Sequence, residues 1–261
     1  MVITGSAKGF GYEMMKVFRE NNFNCIICDI DEENLNKSYE ELTKMNYKGK
    51  VLSYKLDVTN MNDIQNVVKQ ILSEISNIDI WINNAGVAQP DKFVWELDEN
   101  TISKLIDIDL KGVIMCSKVI SNIMIKQGYG AIYNVEGHGS NDALIPKLTL
   151  YGTAKRAVTY FTESLAKEVE GKNIIIGKIT PGIMITNFLK HALGNGEELK
   201  IDEKTKKIYN ILGDYPETIA KYIVPKLIEN KKNNVKFTWL TSKRAFLRFI
   251  KVPFSKRSLF K

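Results

Sequence analysis

Thr4-Gly5-Ser6-Ala7-Lys8-Gly9-Phe10-Gly11 follows the apolar Met1-Val2-Ile3, which reads as the end of a strand, and leads into a helical pattern over residues 12–22. A glycine-rich turn between a strand and a helix lets the backbone approach a pyrophosphate, whose charge then lies at the positive helix N-terminus. Gly5, Gly9 and Gly11 follow GxxxGxG, a spacing that differs from the common dinucleotide fingerprint. Glycines also serve plain tight turns. The position between strand and helix is therefore what gives the motif its meaning.

Working outward, residues 24–30 read as a second strand ending at Asp29. A carboxylate about 20 positions after such a turn can accept hydrogen bonds from ribose hydroxyls and would repel a 2′-phosphate. Lys8 pulls the other way, but no arginine follows Asp29. NAD(H) is thus favoured, with NADP(H) left open. The alternative is that Asp29 and Asp31 merely cap a helix over 32–45.

A third strand over 50–58 ends in Leu56-Asp57-Val58, and Thr59 or Asn60 caps the helix after it. A short buried strand over 78–82 runs into Asn83-Asn84-Ala85-Gly86, and a long helix is expected over 98–126. Then come a strand over 130–136, the turn Gly137-His138-Gly139-Ser140, a helix to about 170, and a strand over 173–180 ending at Pro181-Gly182. A helix over 216–230 and a strand over 235–240 close the pattern. Strands alternating with helices of this length mean right-handed βαβ units. The expected fold is α/β, a doubly wound parallel sheet of about seven strands between two helical layers, with ligands at the carboxyl edge.

Tyr151-Gly152-Thr153-Ala154-Lys155 opens one of those helices. Residues four apart share a helix face, about 5.4 Å apart. A free phenol has a pKa near ~10, so using it as an acid and base near neutrality takes roughly 4 kcal/mol. One cation at about 4–5 Å supplies most of that at an effective dielectric of ~20. Taken alone, the pair also reads as an ordinary helix start with a surface lysine.

The chain has 261 residues, 44% hydrophobic and 26% charged, enough for one large core. We expect a single domain over 1–240 and a separate extension over 241–261. No leader and no apolar run long enough to span a bilayer stands out, which gives a cytoplasmic expectation. Cys25, Cys28 and Cys116 read as reduced; Cys25 and Cys28 have CxxC spacing but lie in a strand, so they read as core. No metal site is expected. Residues 231–261 carry ten Lys/Arg and no Asp/Glu, leaving the first 230 residues at −3, 27 basic against 30 acidic. An acidic body argues against a nucleic-acid partner. The extension mixes Lys243, Arg244, Arg248, Lys251, Lys256, Arg257 and Lys261 with Phe246, Leu247, Phe249, Ile250, Phe254 and Phe260. That mixture fits an amphipathic helix on an anionic membrane surface, and equally a helix packed on a neighbouring subunit.

Taken together, Thr4-Gly5…Gly9…Gly11, Asp57-Val58, Asn83-Asn84-Ala85-Gly86, Tyr151…Lys155 and Pro181-Gly182 resemble the short-chain dehydrogenases/reductases over about residues 1–190. The stretches Ile78 to Asn83, Asn134 to Ser140 and Tyr151 to Lys155, with the basic-aromatic end, are similar to the chlorophyll b reductase-related branch. The resemblance implies a Rossmann-type NAD(P)-binding domain and an enzyme interconverting a carbonyl and an alcohol. By it, Tyr151 is the acid/base, and Lys155 lowers its pKa and binds the nicotinamide ribose. The backbone around Gly5, Ser6, Lys8, Gly9, Phe10 and Gly11 cradles the pyrophosphate. Asp29 takes the adenosine ribose, Asp57 and Val58 the adenine. Asn83, Ala85 and Gly86 line the middle of the cofactor, while Pro181, Gly182 and Thr186 face the nicotinamide. A homodimer or homotetramer follows from the same resemblance.

Two departures stand out. The substrate-orienting serine of the family falls on Gly137 by strand register and on His138 by counting back from Tyr151. Ser140 is the hydroxyl placed to substitute if the Gly137–Gly139 turn curls inward, and His138 is the other donor. The family's asparagine in Asn-Leu-x-Gly is here Asp109, in Asp109-Leu110-Lys111-Gly112. A carboxylate would attract Lys155 and oppose the lowering of the tyrosine pKa. Residues 184–212 fall where the family keeps its substrate loop. Phe188, Leu189, Leu193, Ile208 and Ile211 make it apolar, which fits a hydrophobic carbonyl or alcohol substrate, a chlorophyll-like tetrapyrrole by resemblance alone. The rival expectation is a dinucleotide-binding sensor or scaffold with weak or lost catalysis.

Overall fold

The computed structural model describes residues 1–186, 203–252 and 257–259. In chain order the first half gives β1 (Val2–Thr4), α1 (Gly9–Glu20), β2 (Cys25–Asp29), α2 (Glu32–Lys44), β3 (Val51–Lys55), α3 (Met61–Glu74) and β4 (Ile80–Asn83). The second half gives α4 (Glu99–Ile106), α5 (Val113–Gln127), β5 (Gly130–Val135), α6 (Thr149–Glu168) and β6 (Ile174–Thr180). After these come α7 (Glu203–Leu212), α8 (Pro216–Glu229), β7 (Val235–Thr238) and α9 (Ser242–Lys251). The strands form one sheet in the order β3-β2-β1-β4-β5-β6-β7, with every pairing parallel. This is the seven-stranded doubly wound sheet that the sequence pattern predicts.

Successive strand residues point to opposite faces, and the core divides accordingly. Ile3, Ile27, Ile82 and Tyr133 pack with Met14 and Phe18 of α1 and Ile223 and Leu227 of α8. Val2, Ile26, Trp81 and Ile132 pack with Ile64 and Ile71 of α3 and Ile120 and Met124 of α5. Cys25 lies in the first cluster and Cys28 in the second, so the CxxC pair straddles the sheet. Burial pushes the Cys25 thiol up to about 11 and Cys116 to about 12, and raises Cys28 as well. All three are buried and unpaired.

Side-chain caps set several helix starts. Asp31 accepts from Asn34 N–H at 3.2 Å and starts α2; the Asn60 amide oxygen accepts from the Asn62 and Asp63 N–H groups and starts α3. The long helix expected over 98–126 is α4 and α5 joined by a π-helical turn, Asp107–Gly112. Such wide turns re-aim side chains and gather at functional sites, and this one carries Asp109.

The C-terminal extension includes a helix, and its arginines are used in a way that the sequence pattern does not show. Arg244, Arg248 and Arg257 turn inward instead of forming an exposed basic face. Arg248 Nη2 pairs with Asp214 Oδ2 at 2.6 Å, Arg257 pairs with Asp214 Oδ1, and Arg244 stacks 3.9 Å from the Trp239 ring. One buried carboxylate holds both arginines because it also sits among the free carbonyls at the end of α7: Arg248 Nη1 donates to Leu212 O at 3.1 Å and Arg257 Nη2 to Gly213 O at 2.6 Å. No helix among the described residues is long and apolar enough to cross a membrane.

Candidate active site

The chain leaves β1 for β2 and β3 on one side and returns to β4 on the other, so the carboxyl ends of β1 and β4 flank the switch point where such sheets hold ligands. The two ends are tied together. Thr4 Oγ1 accepts from Asn84 N–H at 3.1 Å and Ala85 N–H at 3.2 Å, and Asn84 Nδ2 donates to Gly5 O at 2.8 Å. Gly5 has φ +62°, and a Cβ there would lie 2.7 Å from Ala85 Cα. Gly9 has φ +62° as well, yet its Cβ position meets nothing within 4 Å. The first glycine admits a neighbour; the second keeps the turn open at the start of α1. That open backbone cradle at a helix N-terminus fits a dinucleotide pyrophosphate.

The other nucleotide-side residues divide by what their side chains do. Asp29 Oδ2 accepts from Ala7 N–H at 3.0 Å and Oδ1 from Asp31 N–H at 3.1 Å, so it braces the glycine turn at the end of β2. Lys8 pairs with Asp31 at 2.8 Å on the surface, and Lys8 with Asn34 holds the Asp31 carboxyl down at about 2. Asp57 Oδ1 accepts from Thr59 N–H and Oγ1, and Val58 is buried against Gly112. Ser6 and Phe10, expected near the cofactor, turn their side chains inward. Ser6 Oγ donates to Ile3 O and accepts from Cys28 N–H, while Phe10 joins the core, leaving only their backbone to a ligand. Asn83 is likewise spent inside. Its Oδ1 accepts from Trp81 Nε1 at 2.7 Å, and its Nδ2 donates to Ser117 Oγ and Asn134 Oδ1. Ala85 and the exposed Gly86 remain at the edge.

Across the edge, the start of α6 brings Tyr151 and Lys155 to the end of β5. Lys155 Nζ lies 5.5 Å from the Tyr151 ring centroid and 3.0 Å from Asp109 Oδ2, with Lys155 and Asp109 both buried. Asp109 Oδ1 accepts from Val87 N–H at 2.7 Å, and the absence of a side chain at Gly86 makes room for it, since a Cβ there would lie 3.0 Å from Oδ2. Desolvation raises the Tyr151 pKa; Lys155 opposes that and Asp109 reinforces it, leaving the phenol above its ordinary value. Desolvation works against the Lys155 ammonium, but the Asp109 carboxylate outweighs it and holds the lysine above its usual value. The lowering of the tyrosine pKa by Lys155 is therefore overridden in the protein alone, and the attraction of Asp109 for Lys155 is direct.

Gly137 has a steric reason. A Cβ there would fall 2.3 Å from Tyr151 Oη and 3.0 Å from Lys155 Cγ, so the phenol occupies the place a serine side chain would need. Ser140 curls back instead: its buried Oγ accepts from Gly137 N–H at 3.2 Å, keeping its own proton to donate. The hydroxyl and the phenol flank the same residue, one at its N–H and the other at its Cα. His138 is half-buried, and desolvation lowers its pKa.

Two contributors escaped the sequence reading. Gln89 Oε1 accepts from Tyr151 N–H at 3.0 Å and caps the first turn of α6 from the loop after β4. Glu136 is buried beside Gly137, accepting from Thr159 Oγ1 and Thr180 Oγ1 and pairing with Lys236 at 2.8 Å. At the far end, Pro181 is buried, Gly182 has φ +74°, and Thr186 is the last described residue before position 203. Phe188, Leu189 and Leu193 of the expected substrate loop lie outside the described residues. Among the described residues no group of three or more His, Cys, Asp or Glu could hold a metal ion.

The chain is similar to known proteins over most of its length. Chlorophyll(ide) b reductase NOL, chloroplastic, of Arabidopsis thaliana is 31% identical over 232 residues, 87% of this chain and 64% of that protein. The chain thus spans under two thirds of that relative's length. A 3-oxoacyl-[acyl-carrier-protein] reductase of Thermotoga maritima is 32% identical over 189 residues, covering 71% of this chain and 74% of the relative. Two solved structures share the fold at a TM-score of 0.79. A 3-ketoacyl-(acyl-carrier-protein) reductase from Brucella melitensis complexed with NADH is 20% identical, covering 91% of this chain and 94% of that one. A serine dehydrogenase complexed with NADP+ is 22% identical, with 93% and 96% covered. The model of the short chain dehydrogenase family matches residues 1–195, and the chain belongs to that family of oxidoreductases.

Proposed function

We propose that the chain is a nicotinamide-dinucleotide-dependent carbonyl reductase, with Tyr151 as its acid/base. The observation that carries this reading is the packing of Tyr151, Lys155 and Asp109 at the sheet edge that also holds the glycine turn. The bound dinucleotide supplies, or in reverse accepts, the hydride. Tyr151 gives its proton to the substrate oxygen as the carbonyl carbon is reduced, and Lys155 stabilises the phenolate left behind. Ser140, with its Oγ set by Gly137 N–H, is the hydroxyl that orients the carbonyl. A phenol held protonated suits the reductive direction.

NAD(H) is the favoured cofactor, because Asp29 puts a carboxylate at the end of β2, where a 2′-phosphate would be repelled, while the Lys8 ammonium is taken up by Asp31. The substrate class is an apolar ketone or aldehyde, a reading supported by the names of the plant and bacterial relatives. Tyr160 on α6 and Ile114 and Ile125 on α5 are exposed, which fits a homodimer or homotetramer packed through these helices. Three buried, unpaired thiols fit a reducing compartment such as the cytoplasm. The direct Asp109–Lys155 pair also supports a second reading, a dinucleotide sensor with little turnover, since it removes much of what makes the phenol labile.

The test is a panel of apolar aldehydes and ketones with NADH and with NADPH, followed by nicotinamide absorbance. Turnover faster with NADH is expected. Tight NADH binding with no turnover on any carbonyl would favour the sensor.

A further inference from the structure

The ten-residue helix α9 has its faces reversed for an element surrounded by water. Its arginine side is docked on the body: Arg248 reaches Asp214, and Arg244 lies over the rings of Trp239 and Tyr222. Trp239 Nε1 also donates to Asp214 Oδ2 at 2.6 Å, so the carboxylate collects donors from three positions. The opposite side is apolar and open. Phe246 is 64% exposed, Leu247 45%, Phe249 50% and Ile250 54%. A solvated helix would place these the other way round.

The surroundings are basic. Lys243 and Lys251 are exposed at the two ends of α9. The neighbouring α7 contributes Lys204, Lys206 and Lys207 against one acidic residue, Glu203, and exposes Ile208. From residue 231 onward the sequence contains no Asp or Glu at all. Apolar side chains rimmed by lysines are the pattern of a helix lying in a lipid interface, its rings among the acyl chains and its lysines among anionic headgroups. A second copy on the same face would set lysine against lysine with almost no carboxylate to pair them. A zwitterionic surface would leave the rim unmatched.

We propose that the outward face of α9, Phe246, Leu247, Phe249 and Ile250 between Lys243 and Lys251, is a docking surface for an anionic phospholipid membrane. The Asp214 cluster is what makes it one, since holding the arginines inward leaves the apolar face outward.

The experiment is vesicle sedimentation of the full chain. Phosphatidylglycerol-containing vesicles are compared with pure phosphatidylcholine vesicles, at low salt and at 0.5 M salt. The wild type should partition at least tenfold better to the anionic vesicles, and salt should weaken the preference by screening the lysines. The double variant F246S/F249S should lose at least tenfold, and K243E/K251E should lose the anionic preference. Both double variants change exposed side chains, so each should keep the wild-type thermal midpoint and NADH affinity. The proposal is overturned if the wild type stays in the supernatant with anionic vesicles, or if F246S/F249S binds as well as the wild type. It is overturned too if size exclusion shows an oligomer that F246S/F249S dissolves, because the face is then covered by a second copy.

Discussion

Asp109 and Asp214 are both buried carboxylates that hold cations, and they do so to different ends. Asp109 meets Lys155 at 3.0 Å inside the site, on a π-helical turn that breaks an otherwise continuous helix. Asp214 meets Arg248 and Arg257 and takes the Trp239 indole N–H besides. The backbone of Asp214 also pairs with Ile183 and Ile185, just after the Pro181-Gly182 turn. The first carboxylate changes what a neighbouring phenol can do. The second fixes where a helix sits. Lysine and arginine account for part of the difference: a point charge tunes a pKa, whereas planar guanidinium forks lock geometry across several acceptors.

The largest expected effect breaks the second cluster. Asp214→Ala leaves two partly buried guanidiniums and an indole N–H without their shared acceptor, and should cost about 3 kcal/mol, read as a lower urea midpoint. Cofactor affinity should change less than stability, because the side chains that Asp214 holds, Trp239, Arg248 and Arg257, are none of the residues of the glycine turn. If NADH binding falls in step with stability, the two clusters are not separate devices.

Asp109→Asn sharpens the other side of the comparison. Asparagine can still accept from Val87 N–H, so the stability loss should be smaller, about 1–2 kcal/mol. The pH profile should move more. Reduction needs the phenol protonated, so its rate falls as pH rises through the Tyr151 pKa. Asp109 is one of the groups raising that pKa, so removing it should shift the alkaline limb to lower pH. The stabilising pair also has a window. Lys155 is held above its ordinary value, so its contribution is full below the unfolded lysine pKa near ~10.4 and is lost as pH rises through the folded one. Alkaline unfolding should therefore be less steep in the asparagine variant.

The smallest effect comes from an exposed pair, Lys8–Asp31, which calibrates the two buried ones. Asp31→Ala removes a helix cap and should cost about 1 kcal/mol. Because Asp31 titrates at about 2 in the folded chain, its stabilisation is present above the ordinary carboxylate range and disappears as pH falls toward 2. Acid titration of wild type and variant should converge there.

Patterns that act within one element were readable in the sequence. The strand–turn–helix around Gly5 to Gly11, the parallel sheet, and the face shared by Tyr151 and Lys155 all follow from local spacing. The attraction of Asp109 for Lys155 was legible too, because a charge in an apolar helical stretch has few other uses. What escaped depends on distant partners. Gln89 caps a helix 62 residues later and carries no local signal. Asp214 is a single acid between Gly213 and Tyr215, and nothing in that tripeptide shows that arginines 34 and 43 residues on will turn toward it. The open place at Gly137 became intelligible only once the phenol was seen to fill it.

The central claim is that Tyr151 is the proton donor in a hydride transfer. The direct measurement is carbonyl reduction by Tyr151→Phe alongside its NADH affinity. Removing one hydroxyl should reduce kcat by at least ~10³-fold while the dissociation constant for NADH stays within about twofold. A variant that reduces carbonyls at the wild-type rate would contradict the account.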